Sequence, residues 1–522
     1  MNLKETVIGI EFGSTRIKAV MLDKNHLPIA FGSHEWENRL IDGVWTYTPE
    51  DIVTGLQDCY GALKKDVKEK FGLELTETGA IGVSAMMHGY LPFDKDWNQL
   101  TEFRTWRNTQ TSEAAETLSK LFNFNIPQRW CIAHLYQAIL NKEAHVPDIA
   151  HISTLAGYIH FRMTGKNLMG IGEASGVFPI DNATGDYDEK MIADFNELIA
   201  DYQFPWTLKD LLPDHVPAGE NAGYLTEEGA LLLDPEGTLQ AGIPIAPCEG
   251  DAGTGMVATN AVRPGTGNVS AGTSVFAMIV TDRPLGVHME VGMVTTPAGC
   301  PVAMVHCSNC TSDINAWVNL LAEFAESIGA PQNKGELYTM LFNKALEGDP
   351  DCGGLLSYNY FSGEAIMNME EGRPLFVRRP NSVFNLANFM RMHLLSALST
   401  LKSGLDILVN EEKVRIDRIN GHGGFFTTPV VGQRLLSAAI GSPVTVMQTA
   451  GEGGPYGMAL LCAYMLWKEE GESLEDYLDN KVFADAPSTT VMAEQSDIDG
   501  FNTFLKSFLK AYDVERLAVE KF

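Results

Sequence analysis

Glu11-Phe12-Gly13-Ser14-Thr15, running on through Lys18 and Ala19 to Asp23, has a counterpart past the middle of the chain. That counterpart is Ser270-Ala271-Gly272-Thr273-Ser274, running on to Asp282. Gly13 and Gly272 are 259 residues apart, as are Asp23 and Asp282, close to half of the 522 residues. Each copy is an apolar run, a turn of glycine and hydroxyl residues, and a second apolar run, the pattern of a β-hairpin. Such a turn presents backbone N–H groups with little side-chain bulk before them, a good surface for phosphate oxygens. Two related domains whose hairpins face one cleft would hold a polyphosphate from both sides. Taken singly, each is equally well read as a tight glycine turn.

Bulk properties narrow the field. Hydrophobic residues make up 45% and charged residues 20%, the balance of a folded globular protein. The length suggests about three domains as a starting figure, compatible with two large ones. A net charge of −29 argues against a protein that grips nucleic acid or an anionic membrane through bulk electrostatics. Phosphate must then be held locally, by backbone amides and Mg²⁺. The start, MNLKETVIGIEFGS, lacks the apolar segment of a signal peptide, and the apolar run from Met458 to Trp467 is too short to span a bilayer. A cytoplasmic location and eight reduced cysteines are the expectation.

The alternation along the chain is that of an α/β protein. Strands are predicted over Thr6 to Ile10 and Ile17 to Leu22, a helix from about Pro49 to Lys70, and a buried strand from Ala80 to Ser84, followed by the loop Met86-Met87-His88-Gly89. A strand from Ile243 to Pro247 leads into Glu249-Gly250-Asp251-Ala252-Gly253, and the domain junction is expected near residue 255. The second half reads as helices over about Ser312 to Ser327 and Asn385 to Val409, then a strand from Arg415 to Asn420. Gly421-His422-Gly423-Gly424 follows, then Gly451-Glu452-Gly453-Gly454 opening a helix to Trp467, and a last helix over about Phe501 to Ala511.

Asp251 is the most pointed chemical candidate. It follows a buried-strand pattern, at the kind of strand end where α/β sheets bind ligands, between glycines that admit a ligand to the backbone. A carboxylate there can take the proton of a hydroxyl attacking a phosphoryl group. The competing reading is a helix N-cap, and the two roles are compatible. Gly421 to Gly424 forms a side-chain-free ledge suited to a nucleobase and ribose. Three other motifs compete. Gly253 to Ala258 fits G-x-G-x-x-A but lies mid-chain and lacks the acid about 20 residues on. His288-Met289-Glu290 with Cys307 and Cys310 mimics a zinc deaminase, but His306 stands where proline is required and the valine-flanked His288 stretch reads as strand. Cys300, Cys307 and Cys310 lack a fourth zinc ligand at finger spacing. No G-x-x-x-x-G-K-[ST] occurs, which disfavours a P-loop NTPase.

In order and spacing, these features together resemble the FGGY family of carbohydrate kinases, particularly its xylulokinases. They are the first hairpin, Met87-His88-Gly89, Gly250-Asp251, the second hairpin, Gly421 to Gly424, and Glu452 to Ala459. The resemblance implies an α/β fold of two RNase H-like domains of the sugar kinase, heat-shock chaperone and actin superfamily, with residues 1–255 and 256–522 as the domains. It implies Asp251 as catalytic base, and Met87, His88, Trp106 and Asn108 as sugar contacts. Gly13, Ser14, Thr15, Lys18, Gly272, Thr273, Gly423 and Gly424 would bind the nucleotide, with Glu11 near Mg²⁺ through water. ATP and Mg²⁺ are the implied cofactors and a small sugar the partner, with no nucleic acid or membrane; a homodimer is compatible with the resemblance. The expected reaction is phosphorylation of a ketopentose such as xylulose. Ribulose, fuculose, rhamnulose or glycerol-type acceptors are alternatives, as is a non-kinase ATPase switch of the same superfamily. Three departures weigh on the sugar and the metal: Glu11 stands for the usual Asp, Ala252 for the Asn after the base, and Gln110 for an Arg.

Overall fold

The computed structural model describes residues 2–447 and 453–522, and Gly451 and Glu452 of the third glycine cluster lie outside the described residues. Two seven-stranded sheets carry the chain. The first contains β1 (Val7–Phe12), β2 (Arg16–Leu22), β3 (Pro28–Glu35), β4 (Ala80–Ala85), β5 (Gly223–Tyr224) and β6 (Pro244–Ile245), in the order β5-β6-β4-β1-β2-β3, with β7 (Glu249–Gly250) also pairing with β4. The second contains β8 (Thr266–Ala271), β9 (Val275–Val280), β10 (Gly292–Thr295), β11 (Pro301–Cys307), β12 (Arg418–His422), β13 (Val444–Met447) and β14 (Ser488–Val491). Their order is β10-β11-β9-β8-β12-β13-β14.

The two sheets repeat one plan. β1 runs antiparallel to β2 and parallel to β4, while β8 runs antiparallel to β9 and parallel to β12. β1 is flanked on both edges and covered on both faces, which is why its sequence, VIGIEF, is apolar throughout rather than alternating. The duplication read from the two glycine turns is thus a duplication of topology.

Helix α1 (Pro49–Phe71) covers one face of the first sheet through β3 and β2. It starts at a capping box in which Thr48 and Asp51 bond reciprocally, and stops at left-handed Gly72. The second sheet is covered by α3 (Leu386–Asp406), which ends in a π-helical turn over Ile407–Glu411. Between these, α2 (Asp251–Ala258) leads from the first sheet to the second. Helix α4 (Gly453–Trp467) returns from the second half to pack on β1 and β4, so its apolar residues complete the first core.

Some predicted boundaries shift. Of the strand expected over Ile243 to Pro247 only Pro244–Ile245 (β6) forms; Pro247, which has no N–H for a ladder, stands between it and β7 at Glu249–Gly250. The strand expected over Arg415 to Asn420 is β12, and the last predicted helix begins earlier, at Gln495, and ends at Lys510. His288-Met289-Glu290 is no strand: Met289 and Glu290 lie in a turn and His288 bonds Glu412 at 2.8 Å. The helix over Ser312–Ser327 stands where expected. No described helix is long and apolar enough to cross a membrane.

Helix α4 crosses both β1 and α2 at van der Waals distance. A Cβ on Gly9 would lie 2.1 Å from the Pro455 carbonyl, and one on Gly457 would lie 1.9 Å from the Thr254 carbonyl. Both obstacles are backbone, which cannot rotate aside. Gly457→Ala is therefore expected to part α4 from α2 and lower unfolding free energy by about 1–3 kcal/mol. Urea denaturation measures it, and an unchanged midpoint would contradict the close crossing.

Candidate active site

The two glycine turns close in matching ways. In the first, Gly13 N–H donates to Arg16 O at 3.0 Å. The Gly13 carbonyl accepts from Trp36 Nε1 at 2.7 Å, the Ser14 carbonyl from Tyr47 OH at 2.6 Å, and the Thr15 carbonyl from Trp36 N at 3.2 Å. In the second, Gly272 N–H donates to Ser274 O at 2.9 Å. The Gly272 carbonyl accepts from Thr311 N at 3.0 Å and the Thr273 carbonyl from Cys310 N at 2.9 Å. Every turn carbonyl is thus occupied. Among the described residues no acceptor is bonded to the N–H groups of Ser14, Thr15, Thr273 or Ser274. A turn with its carbonyls tied back and its amides free is an anion cradle.

Cys310, for which the sequence offered no role, lies directly behind the second turn. Cys307 and Cys310 are fully buried, and the Cys310-Thr311 backbone holds the second turn. All eight cysteines are free thiols, and no group of three potential ligands among the described residues could hold a metal, which removes both zinc readings. Gly423 has φ +97 and lies against the Ala271 carbonyl, where a Cβ would come within 2.5 Å; a Cβ on Gly424 would meet nothing within 4 Å. The open ledge therefore adjoins the end of β8, beside the second turn.

Asp251 is the first residue of α2, with Gly250 at the N-cap position. Its Oδ1 accepts the Met87 N–H at 3.1 Å, joining α2 to the Met87-His88-Gly89 loop. Burial pushes the Asp251 carboxyl up to about 6, against the opposing pull of the Met87, Ala252 and Asp251 N–H groups. Glu11 is pushed up to about 7, chiefly by burial and then by Asp251, with Lys18 acting the other way. Lys18 faces Glu11 across the β1–β2 pair. A Cβ on Gly454 would lie 2.0 Å from Glu11 Oε1, so α4 closes over this carboxyl.

His88 is buried at φ +71, with Nδ1 3.3 Å from the Gly176 carbonyl and its ring stacked on Trp130 at 5.7 Å. Burial and the nearby Arg129 charge hold it well below the ordinary histidine range, so it is neutral at pH 7. Trp106 and Asn108 separate. Trp106 Nε1 donates to Ser14 Oγ at 3.1 Å, which places it beside the first turn. Asn108 is buried, and its amide is spent on the Trp45 N–H at 2.9 Å, the Trp45 carbonyl at 2.8 Å and the Thr105 carbonyl at 3.0 Å. It shapes the loop and has no donor left for a sugar. Gln110 is exposed and bonds Gly43 O at 3.3 Å.

Several neighbours had no motif to reveal them. Glu173 and Glu249 are 0% and 1% exposed, directly behind the Gly250-Asp251 turn. A Cβ on Gly250 would lie 2.5 Å from Glu173 Oε2, and one on Gly170 would lie 2.0 Å from Glu249 Oε1. Arg129 and His306 flank His88. Only the fold brings these positions to residue 251.

Residues 6–258 match the N-terminal domain of the FGGY family of carbohydrate kinases and residues 267–466 match its C-terminal domain. The chain belongs to this family. The match to both carbohydrate-kinase domains makes it an ATP-dependent kinase of a carbohydrate or polyol, not a nucleotide switch. The kinase is 21% identical over 474 residues to the xylulose kinase of Haemophilus influenzae, covering 85% of this chain and 91% of that protein. The solved structure of ligand-bound xylulose kinase from Lactobacillus acidophilus has a TM-score of 0.79 at 16% identity, covering 98% of each chain. That of Plasmodium falciparum glycerol kinase with ADP has a TM-score of 0.75 at 15% identity, also covering 98% of each. These likenesses show the two-domain fold of the sugar kinases.

The buried carboxyl behind Asp251 makes a stability prediction. Glu173 is raised from 4.5 to about 8, by burial first and then by the Asp251 charge, with Thr154 opposing. The folded state therefore holds a proton that the unfolded chain releases, so stability falls as pH rises from about 4.5 to about 8. Glu173→Gln is expected to flatten that decline in urea unfolding, gaining up to a few kcal/mol over the parent at pH 8 and little at pH 4. Parallel pH profiles for the two proteins would contradict it.

Proposed function

We propose that the kinase transfers the γ-phosphoryl group of ATP to a hydroxyl of a ketopentose-sized sugar, with Asp251 as the base. The observation that carries this reading is the Asp251 carboxyl at the start of α2, bonded to the Met87-His88 loop on one side and adjoining Glu11 on the other. The Ser14 and Thr15 amides would take phosphate oxygens from the first domain, with Gly13 giving the turn its open side. Gly272 and Thr273 would do so from the second, and Gly423 and Gly424 would take the adenosine. The domains divide near residue 255, within α2.

Asp251 raises the proton affinity of Glu11, with Lys18 the offsetting cation beside it. An all-oxygen carboxylate setting of this kind fits Mg²⁺ held by Glu11 through water. When bound, Mg²⁺ neutralises charge on the phosphate oxygens. Lys18 holds Glu11 toward its ionised form, and the longer side chain of Glu11 reaches the same strand end as an Asp would.

In the step itself, the acceptor oxygen forms a bond to the γ-phosphorus as the bond to the β,γ-bridging oxygen breaks. The hydroxyl proton passes to Asp251 and ADP leaves. Met87 orients Asp251 through its N–H, and the buried, neutral His88, whose Nδ1–H goes to the Gly176 carbonyl, can accept a hydrogen bond from an acceptor hydroxyl at Nε2. Xylulose is the neutral ketopentose from which a substrate panel starts, on the strength of Met87 and His88. Ala252 offers no polar atom and Asn108 none to spare, so the acceptor is held by fewer groups than the sequence suggested.

Two measurements test the reading by coupled ADP release. Asp251→Asn is expected to keep ATP binding and lose about 10³-fold in kcat. In the parent, kcat/KM is expected to fall below a pH of about 6, because the base must be ionised and its carboxyl lies at about 6. Full turnover in the variant, or an acid limb near pH 4, would remove Asp251 from the role.

A further inference from the structure

Arg129 is the cleft side chain that phosphoryl transfer leaves unused. It precedes Trp130, whose ring stacks on His88 with planes 21° apart, and its carbonyl accepts the Gly89 N–H at 3.2 Å. The loop Met87-His88-Gly89 is thus bonded to Asp251 at its first residue and to Arg129 at its last. The two ends of such a tripeptide lie at most about 7 Å apart, within the length of a short sugar.

Arg129 is half-buried, and among the described residues its guanidinium makes no ion pair and donates no hydrogen bond. Desolvation alone brings it down to about 10, with no carboxylate near enough to offset the effect. It lies close enough to His88 on one side and His306 of β11 on the other to depress both imidazoles. Burial is the larger cause for each, and His306 falls to about 3. Glu11, Glu173, Glu249 and Asp251 influence one another and none of them acts on Arg129. The cleft therefore has an acidic end at the proposed base and a cationic end at Arg129, flanked by the neutral rings of His88 and His306, of which His88 spends its N–H on the Gly176 carbonyl.

A partly desolvated guanidinium without a counter-ion carries a cost, and a ligand that brings the negative charge offsets it. The planar fork of arginine matches a carboxylate with two parallel hydrogen bonds. Building on the assignment of Asp251 as base, we propose that the acceptor is a short sugar acid, its carboxylate held by Arg129 between His88 and His306 and its far hydroxyl presented to Asp251. This keeps the chain length and the transfer chemistry of the ketopentose reading and changes the remote end of the acceptor. The carboxylate takes no part in the bonds made and broken. With a chain charge of −29, long-range attraction cannot gather such an anion, so recognition must be local.

Matched pairs test it with the full chain and Mg-ATP: xylonate against xylulose, ribonate against ribulose, and threonate against erythritol, read as ADP release. An acid is expected to exceed its neutral partner by roughly 30- to 100-fold in kcat/KM, the worth of a lost charge-assisted pair. Arg129→Met should raise KM for that acid by a similar factor, Arg129→Lys should recover part of it, and KM for ATP should stay near the parent value. Neutral acceptors preferred over every acid would overturn the proposal. So would a KM for ATP that rises in Arg129→Met with all acceptors alike, which would assign the cation to the nucleotide phosphates. Calorimetry of the same acids with Asp251→Asn reads carboxylate binding without turnover. Heat that disappears in Asp251→Asn/Arg129→Met supports the anion site even if phosphoryl transfer fails, and no heat with any acid overturns it.

Discussion

The orientation of the peptide groups in the two glycine turns is the constraint on which the site depends. A tight turn exposes carbonyls and amides alike, and only the amides attract phosphate. Here the tryptophan and tyrosine rings behind the first turn and the Cys310-Thr311 backbone behind the second engage the carbonyls. The amides are left without partners among the described residues. Two unrelated sets of neighbours reach the same result, because each sheet must solve the same problem at the end of its first hairpin. In a chain of net charge −29, this local polarity is what makes a polyphosphate site physically reasonable.

The second constraint is the crowding of acids around the start of α2. Glu11, Asp251, Glu173 and Glu249 come from four separated stretches, and burial raises all four carboxyls above their ordinary values. A carboxyl held near pH 6 is ionised at neutral pH yet retains useful proton affinity, which suits Asp251 to the role of base proposed for it. The α4 crossing sets this geometry: with Gly454 over Glu11 and Gly457 against Thr254, the helix fixes how far α2 stands from β1.

Much of the fold was legible because it is encoded locally. The hairpins, the capped helix α1 and the buried strand β4 announce themselves through turn residues, a Thr48–Asp51 box and an unbroken apolar run. Asp251 could be found for the same reason, since a carboxylate after a buried strand and between glycines is unusual. What sequence could not show is where a side chain spends its hydrogen bonds. Trp106 and Asn108 sit two residues apart, yet one turns to Ser14 and the other exhausts its amide on Trp45 and Thr105. Glu173, Arg129 and His306 carry no local signal at all; their chemistry comes from burial and from neighbours remote in the chain, as Asp251 is from Glu173 and His88 from Arg129.

The account turns on a single nucleotide held between the paired turns with Asp251 facing its terminal phosphate. A crystal structure of the protein with Mg²⁺ and a non-hydrolysable ATP analogue measures this most directly. The account predicts phosphate oxygens within hydrogen-bond distance of the Ser14 or Thr15 amides on one side and the Thr273 or Ser274 amides on the other. A nucleotide bound to one turn only, or with its γ-phosphate remote from Asp251, would contradict it.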